Sequence, residues 1–145
     1  PPRSTLFPYT TLFRSWHRLY LQGNLNYVTD QTDTPVDNIT QAVLDAENDY
    51  WNGSLTAGLA LDDKTDLTAT YFYYRADNYS DNSAAGMPYG AGIEEQRVTA
   101  GLSRQLSRRV RWTLRYGFFT SEDETSGGNN DYDAHLVYST LQYRF

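Results

Sequence analysis

The sequence has no cysteine, so no disulfide and no thiolate-ligated metal or haem site can form within it. It has a single methionine, and no apolar run approaches the ~20 residues of a membrane helix. No stretch reads as a signal peptide. Basic residues are in the minority, 12 against 18 acidic, for a formal net charge of −6. That balance argues against nucleic acid as a partner, because phosphate binding needs a basic surface. Ser-His-Asp spacing, a Gly-rich phosphate loop and a histidine cluster are all missing, so no enzyme signature is present and no cofactor is implied. What the chain has instead is aromatic residues, 15% of its 145, including 13 Tyr and 3 Trp. Its mean hydropathy is nevertheless negative. A soluble core usually rests on runs of Leu, Ile and Val, which are missing here.

Residues 5 to 15 read Thr-Leu-Phe-Pro-Tyr-Thr-Thr-Leu-Phe-Arg-Ser. The whole string resembles the in-frame translation of a common sequencing-adapter oligonucleotide. Residues 1–15 are therefore set aside as non-native, and the natural sequence is expected to start near Trp16, within a longer protein.

From there on the chain alternates with period 2, the mark of strands with two unlike faces. Residues 17–29 put Leu19, Leu21, Leu25 and Tyr27 on one face and Arg18, Tyr20, Gln22, Asn24 and Asn26 on the other. The same reading gives strands at 49–61, 65–76, 95–106, 110–119 and 133–145, six in all. Their apolar rows include Trp51, Leu55, Leu59, Leu67, Tyr71, Val98, Leu102, Trp112, Leu114, Val137 and Leu141. Only Gln41–Asn48 offers a candidate turn of helix.

The connections alternate as well. Asp62–Thr65 and Ser107–Arg109 are tight, whereas 30–48, 77–94 and 120–132 are long and rich in Asp, Asn, Ser and Gly. All 18 acids fall in residues 30–49, 62–66, 77–95 and 122–133, away from the middle of any apolar row. Short turns at one end, long loops at the other and strands of ~9–11 tilted residues form the pattern of a transmembrane β-barrel. The expected fold is all-β: a transmembrane antiparallel meander. Because the smallest outer-membrane barrels have ~8 strands, residues 16–145 are expected to be the six C-terminal strands of a larger barrel, open as a fragment.

The chain closes Leu141-Gln142-Tyr143-Arg144-Phe145. A terminal Phe preceded by apolar residues at alternate positions resembles the C-terminal motif of Gram-negative outer-membrane barrels, carried here by Val137, Leu141, Tyr143 and Phe145, with Ser139 departing from it. The resemblance implies a porin-like passive channel in the cell outer membrane. It also implies the barrel-assembly machinery, membrane lipid and lipopolysaccharide as partners. Tyr27, Tyr71, Tyr73, Trp112 and Phe118 fall near strand ends, as interfacial aromatic girdles do. More loosely, Asp77-Asn78-Tyr79, Asp123-Glu124-Thr125-Ser126-Gly127-Gly128 and Asp131-Tyr132-Asp133-Ala134-His135-Leu136 resemble the large barrels that sheath multihaem cytochromes, which would add a periplasmic or lumenal cytochrome as a partner.

Three groups of residues invite chemistry. Arg97, Arg111, Arg115 and Arg144, with Tyr138 beside Arg115, are expected to line the lumen, where a basic ring favours anions. Glu122, Asp123 and Glu124 could hold a divalent cation, but a contiguous run lacks the spacing of a dedicated loop, so solvation is the expected role. Asp131, Asp133 and His135 resemble the Asp and His pairs at the rim of omptin-type proteases. However, His135 shares parity with Val137, which aims it away from the lumen, and an interfacial role is expected.

Overall fold

The computed structural model describes residues 3–6, 10–32, 46–79 and 91–145. Six long strands form one antiparallel meander: β3 (Leu19–Thr32), β5 (Tyr50–Asp62), β6 (Thr65–Asp77), β7 (Gly92–Gln105), β8 (Val110–Asp123) and β9 (Tyr132–Tyr143). Two further strands, β1 (Arg3–Leu6) and β2 (Thr10–Trp16), lie along β3. They come from the segment that resembles an adapter. A two-residue strand, β4 (Ala46–Glu47), also pairs with β3. That pair is extended, so the helical turn suggested for Gln41–Asn48 does not form there; 41–45 lie outside the described residues. Among the described residues there is no α-helix, only a 3-10 turn at Glu124–Ser126. The sheet does not close: β9 pairs with β8 alone.

β-branched and aromatic residues, which suit a pleated half-exposed surface, are concentrated in β6 and β8. The tight turns follow from local polar chemistry. At the β5–β6 turn the Asp62 carboxylate accepts the Lys64 N–H at 2.7 Å, an Asx turn, next to a bulge between Ala60 and Asp62. At β7–β8 the Ser107 hydroxyl accepts the Arg109 and Val110 N–H groups at 3.3 and 3.2 Å. Between β8 and β9, Gly127 and Gly128 take φ of 65° and 82°, the left-handed region that glycine enters without a Cβ clash.

The strands run further than the alternation predicted at the long-loop end. β7 starts at Gly92 rather than 95, and β8 runs to Asp123 rather than 119. The added pairs are Ile93–Asp123, Glu94–Glu122, Glu95–Ser121 and Gln96–Thr120. The ladder here continues beyond the apolar rows into polar sequence, where backbone pairing needs no apolar face. Conversely β9 stops at Tyr143, because its partner β8 begins at Val110, opposite Tyr143.

Candidate functional site

The register decides what each face of the sheet presents. Leu21, Ala57, Ala69, Ala100, Tyr116 and Val137 stand opposite one another in one rung across all six strands. The next rung holds Leu19, Leu59, Leu67, Leu102, Leu114 and Ser139. The rung on the other side holds Gly23, Leu55, Tyr71, Val98, Phe118 and His135. No formal charge interrupts these rungs. Since side chains alternate, all of them lie on one face. Nothing in the described chain covers that face: Leu55 is 56% exposed, Val98 45% and Leu67 42%. A contiguous apolar surface of this width is unlike the scattered apolar residues of an ordinary soluble surface.

The band has charged borders and runs diagonally. On β3 it reaches from Leu19 to Tyr27, and the rung of Tyr27 continues through Trp51 into Arg75, Glu94 and Glu122. On β9 it starts two rungs lower, at His135, because Asp133 occupies the rung of Thr120. It also ends two rungs lower, at Tyr143 opposite Val110. Both borders thus descend about four residues over five strand steps, ~13 Å of slide across ~24 Å of sheet. If the band is level, the strands tilt by ~30° from its normal, near the ~35–45° of membrane barrels.

Every aromatic expected in a girdle is on this face. Tyr27 packs on Trp51 with ring centroids 4.4 Å apart, and its hydroxyl donates to Asp49 at 3.0 Å. Trp51 shares this rung with Tyr27, although alternation alone registers it only as one of the apolar row. Tyr71 donates to Gln96 at 3.2 Å, and Tyr73 shares its rung with Gln96. Trp112 donates its indole N–H to Ser139 at 2.7 Å, giving a partner to the residue that departs from the terminal motif. Phe118 stacks on His135 at 4.9 Å, and His135 Nδ1 lies 2.8 Å from the Tyr116 hydroxyl. His135 is therefore held on the apolar face, as its parity implied, and not on the face of the candidate lumen residues. Of the terminal motif, Val137, Leu141 and Tyr143 belong to β9 and are exposed. Phe145 follows it, with its ring edge-on to Tyr143 at 5.2 Å.

The opposite face is polar and more sheltered. Thr56, Thr68, Thr70 and Thr99 are half-buried there, and the three glycines Gly58, Gly101 and Gly117 are buried. A sheet curled toward its polar side gives this asymmetry. Cross-strand polar pairs satisfy the wall: Thr56 with Thr70 at 3.0 Å, Asn26 donating to Asn52 at 2.6 Å, and Ser54 donating to Asn24. Large side chains lie flat over glycines. Tyr20 covers Gly58 so closely that a Cβ at 58 would clash with its ring. A hollow of about 320 Å³ opens among Thr56, Thr70, Thr99, Arg115, Phe119 and Tyr138.

The candidate lumen residues all fall on this polar side, but in three settings. Arg97 lies over Phe72 at 4.9 Å and is ion-paired with Glu95. Arg115 donates to the Tyr138 hydroxyl at 3.1 Å. Arg111 and Arg144 line a separate hollow at the short-turn end, with Arg108 and Arg109. Alternation could not reveal the last two, because it reads a turn as a turn and not as part of a wall.

At the end of β8, Asp123 caps the 3-10 turn. Its carboxylate accepts from Asn130 Nδ2 at 2.9 Å and Ser126 N at 3.3 Å, and the Asn130 bond first of all holds it below the usual carboxylate range. Asp123 is thus engaged in loop structure, and the described residues contain no group of three or more His, Cys, Asp or Glu placed to hold a metal. No protein-family model, curated protein or solved structure matches the chain.

Proposed function

We propose that residues 16–145 are part of the wall of an outer-membrane β-barrel of a Gram-negative bacterium, working as a porin-like passive channel for small solutes or ions. The observation that carries this reading is the uncharged apolar band across all six strands. A water-soluble antiparallel sheet also alternates, but it covers its apolar face with another layer. Here the apolar face has no protein cover among the described residues, its borders carry charge, and its aromatic residues sit toward those borders. Hydrocarbon is the medium that matches such a face, and the diagonal course of the band matches tilted strands. The opposite face, lined with hydroxyls, amides and arginines, suits water.

In this reading the barrel-assembly machinery inserts the chain by way of its C-terminal strand, and lipid and lipopolysaccharide surround it. Conductance of the full-length protein in planar lipid bilayers tests the channel function. The reading expects stepwise, ohmic conductance, and a folded barrel that passes no current would reject it.

A further inference from the structure

The polar face carries a second feature at its short-turn end. Gln105, Arg111 and Gln142 form one rung across β7, β8 and β9. The β7–β8 turn adds Arg108 and Arg109, and the chain after β9 adds Arg144, whose backbone N–H donates to the Arg109 carbonyl at 2.9 Å. Together with Val110 these residues line a hollow of about 70 Å³. The two ion pairs among the described residues, Arg75–Asp77 and Arg97–Glu95, lie elsewhere. No described carboxylate pairs with any of the four arginines. The four guanidinium groups around one small space repel one another, and with the two glutamine amides they present more donors than acceptors. A multivalent oxygen anion removes both costs, because its oxygens accept paired N–H bonds from guanidinium forks.

We propose that this hollow binds a small soluble oxyanion of the phosphate class, inorganic phosphate or a phosphate monoester, at the short-turn mouth of the channel. The proposal rests on the channel reading for its place in the membrane. Arg111 and the two glutamines lie on the face opposite the apolar band, so the site opens to water and not to lipid headgroups. A singly charged chloride would leave most of the donors idle, which is why the phosphate class is favoured. The site would concentrate such anions at one mouth and, by holding them, slow the passage of other anions.

The test uses the full-length protein in bilayers and in detergent micelles. Inorganic phosphate and glycerol phosphate should each reduce chloride current with saturation, and titration calorimetry should give a matching affinity. Arg109→Gln with Arg144→Gln should raise the half-saturating phosphate concentration at least tenfold. Lys64→Gln, at the other short turn, should leave it unchanged. Circular dichroism establishes that each variant folds, and Arg108→Gln alone provides a milder second variant with a smaller shift in the same direction. Chloride current that phosphate never reduces would overturn this proposal and leave the channel reading standing. Unchanged affinity in the double variant would overturn the location. Saturation by phosphatidylglycerol but not by inorganic phosphate would overturn the soluble-anion assignment.

Discussion

At the scale of the residue, Asp123 shows how much local order one carboxylate can carry. It accepts from Asn130 and Ser126, while its own N–H donates to the Asp131 carboxylate at 2.6 Å. These donors favour the charged form and lower its folded pKa below the ordinary value. The sign follows from linkage. Its contribution is complete above the ordinary carboxylate range and is lost as pH falls through the lowered folded value. Acid should therefore loosen the 123–131 loop. The Ser126 amide shift in an NMR titration is expected to move with a midpoint below ~3.9, the unperturbed Asp value; a midpoint at or above that value would remove the carboxylate from this role. Trp51 illustrates a different point. Its indole was visible in the alternating row, but its place against Tyr27 comes from the register, and no single strand contains that information.

At the scale of the element, alternation was enough to locate all six long strands because each has one apolar and one polar side. It failed at their ends for a physical reason. Gly92–Glu95 and Thr120–Asp123 continue the ladder in polar sequence, where pairing satisfies the backbone but leaves no apolar period to read. The arginines of the β7–β8 turn escaped for a related reason, since their convergence with Arg144 depends on a hydrogen bond between distant residues. The two faces of β6 provide a direct comparison. Ala69 lies in the middle of the apolar band and Thr70, its neighbour, on the polar wall. Placed in lipid, Ala69→Arg should cost ~2–4 kcal/mol, the range for a cation near the bilayer midplane of a barrel. Thr70→Arg should cost much less, because its side chain enters water. Urea unfolding of the full-length protein from lipid bilayers measures both, and equal costs would contradict the assignment of faces.

At the scale of the whole molecule, charge lies mainly above and below the apolar band. Fifteen of the 18 acids fall in or beside the long loops, with Asp62, Asp63 and Asp66 at the β5–β6 turn, and most arginines lie on the polar face or at the short-turn end, with Arg75 at the opposite border. Each strand alone predicted a row; only the register shows that six rows join into one band with a common slope. That band also explains the aromatic yet polar composition, since one face of each strand is rich in rings and aliphatics while the other face and the loops are polar. The central claim is that the apolar face meets lipid and the opposite face meets water. The 145 residues contain no cysteine, so once any cysteine elsewhere in the full-length protein is replaced, each introduced cysteine is the single labelling site. Spin labels placed singly from Leu67 to Phe72 in the full-length protein, reconstituted in bilayers, report collisions with oxygen in lipid and with a nickel chelate in water. The account predicts strict alternation: Leu67, Ala69 and Tyr71 open to oxygen and closed to nickel, and Thr68, Thr70 and Phe72 the reverse. Nickel access at every position, or no period of two, would contradict it.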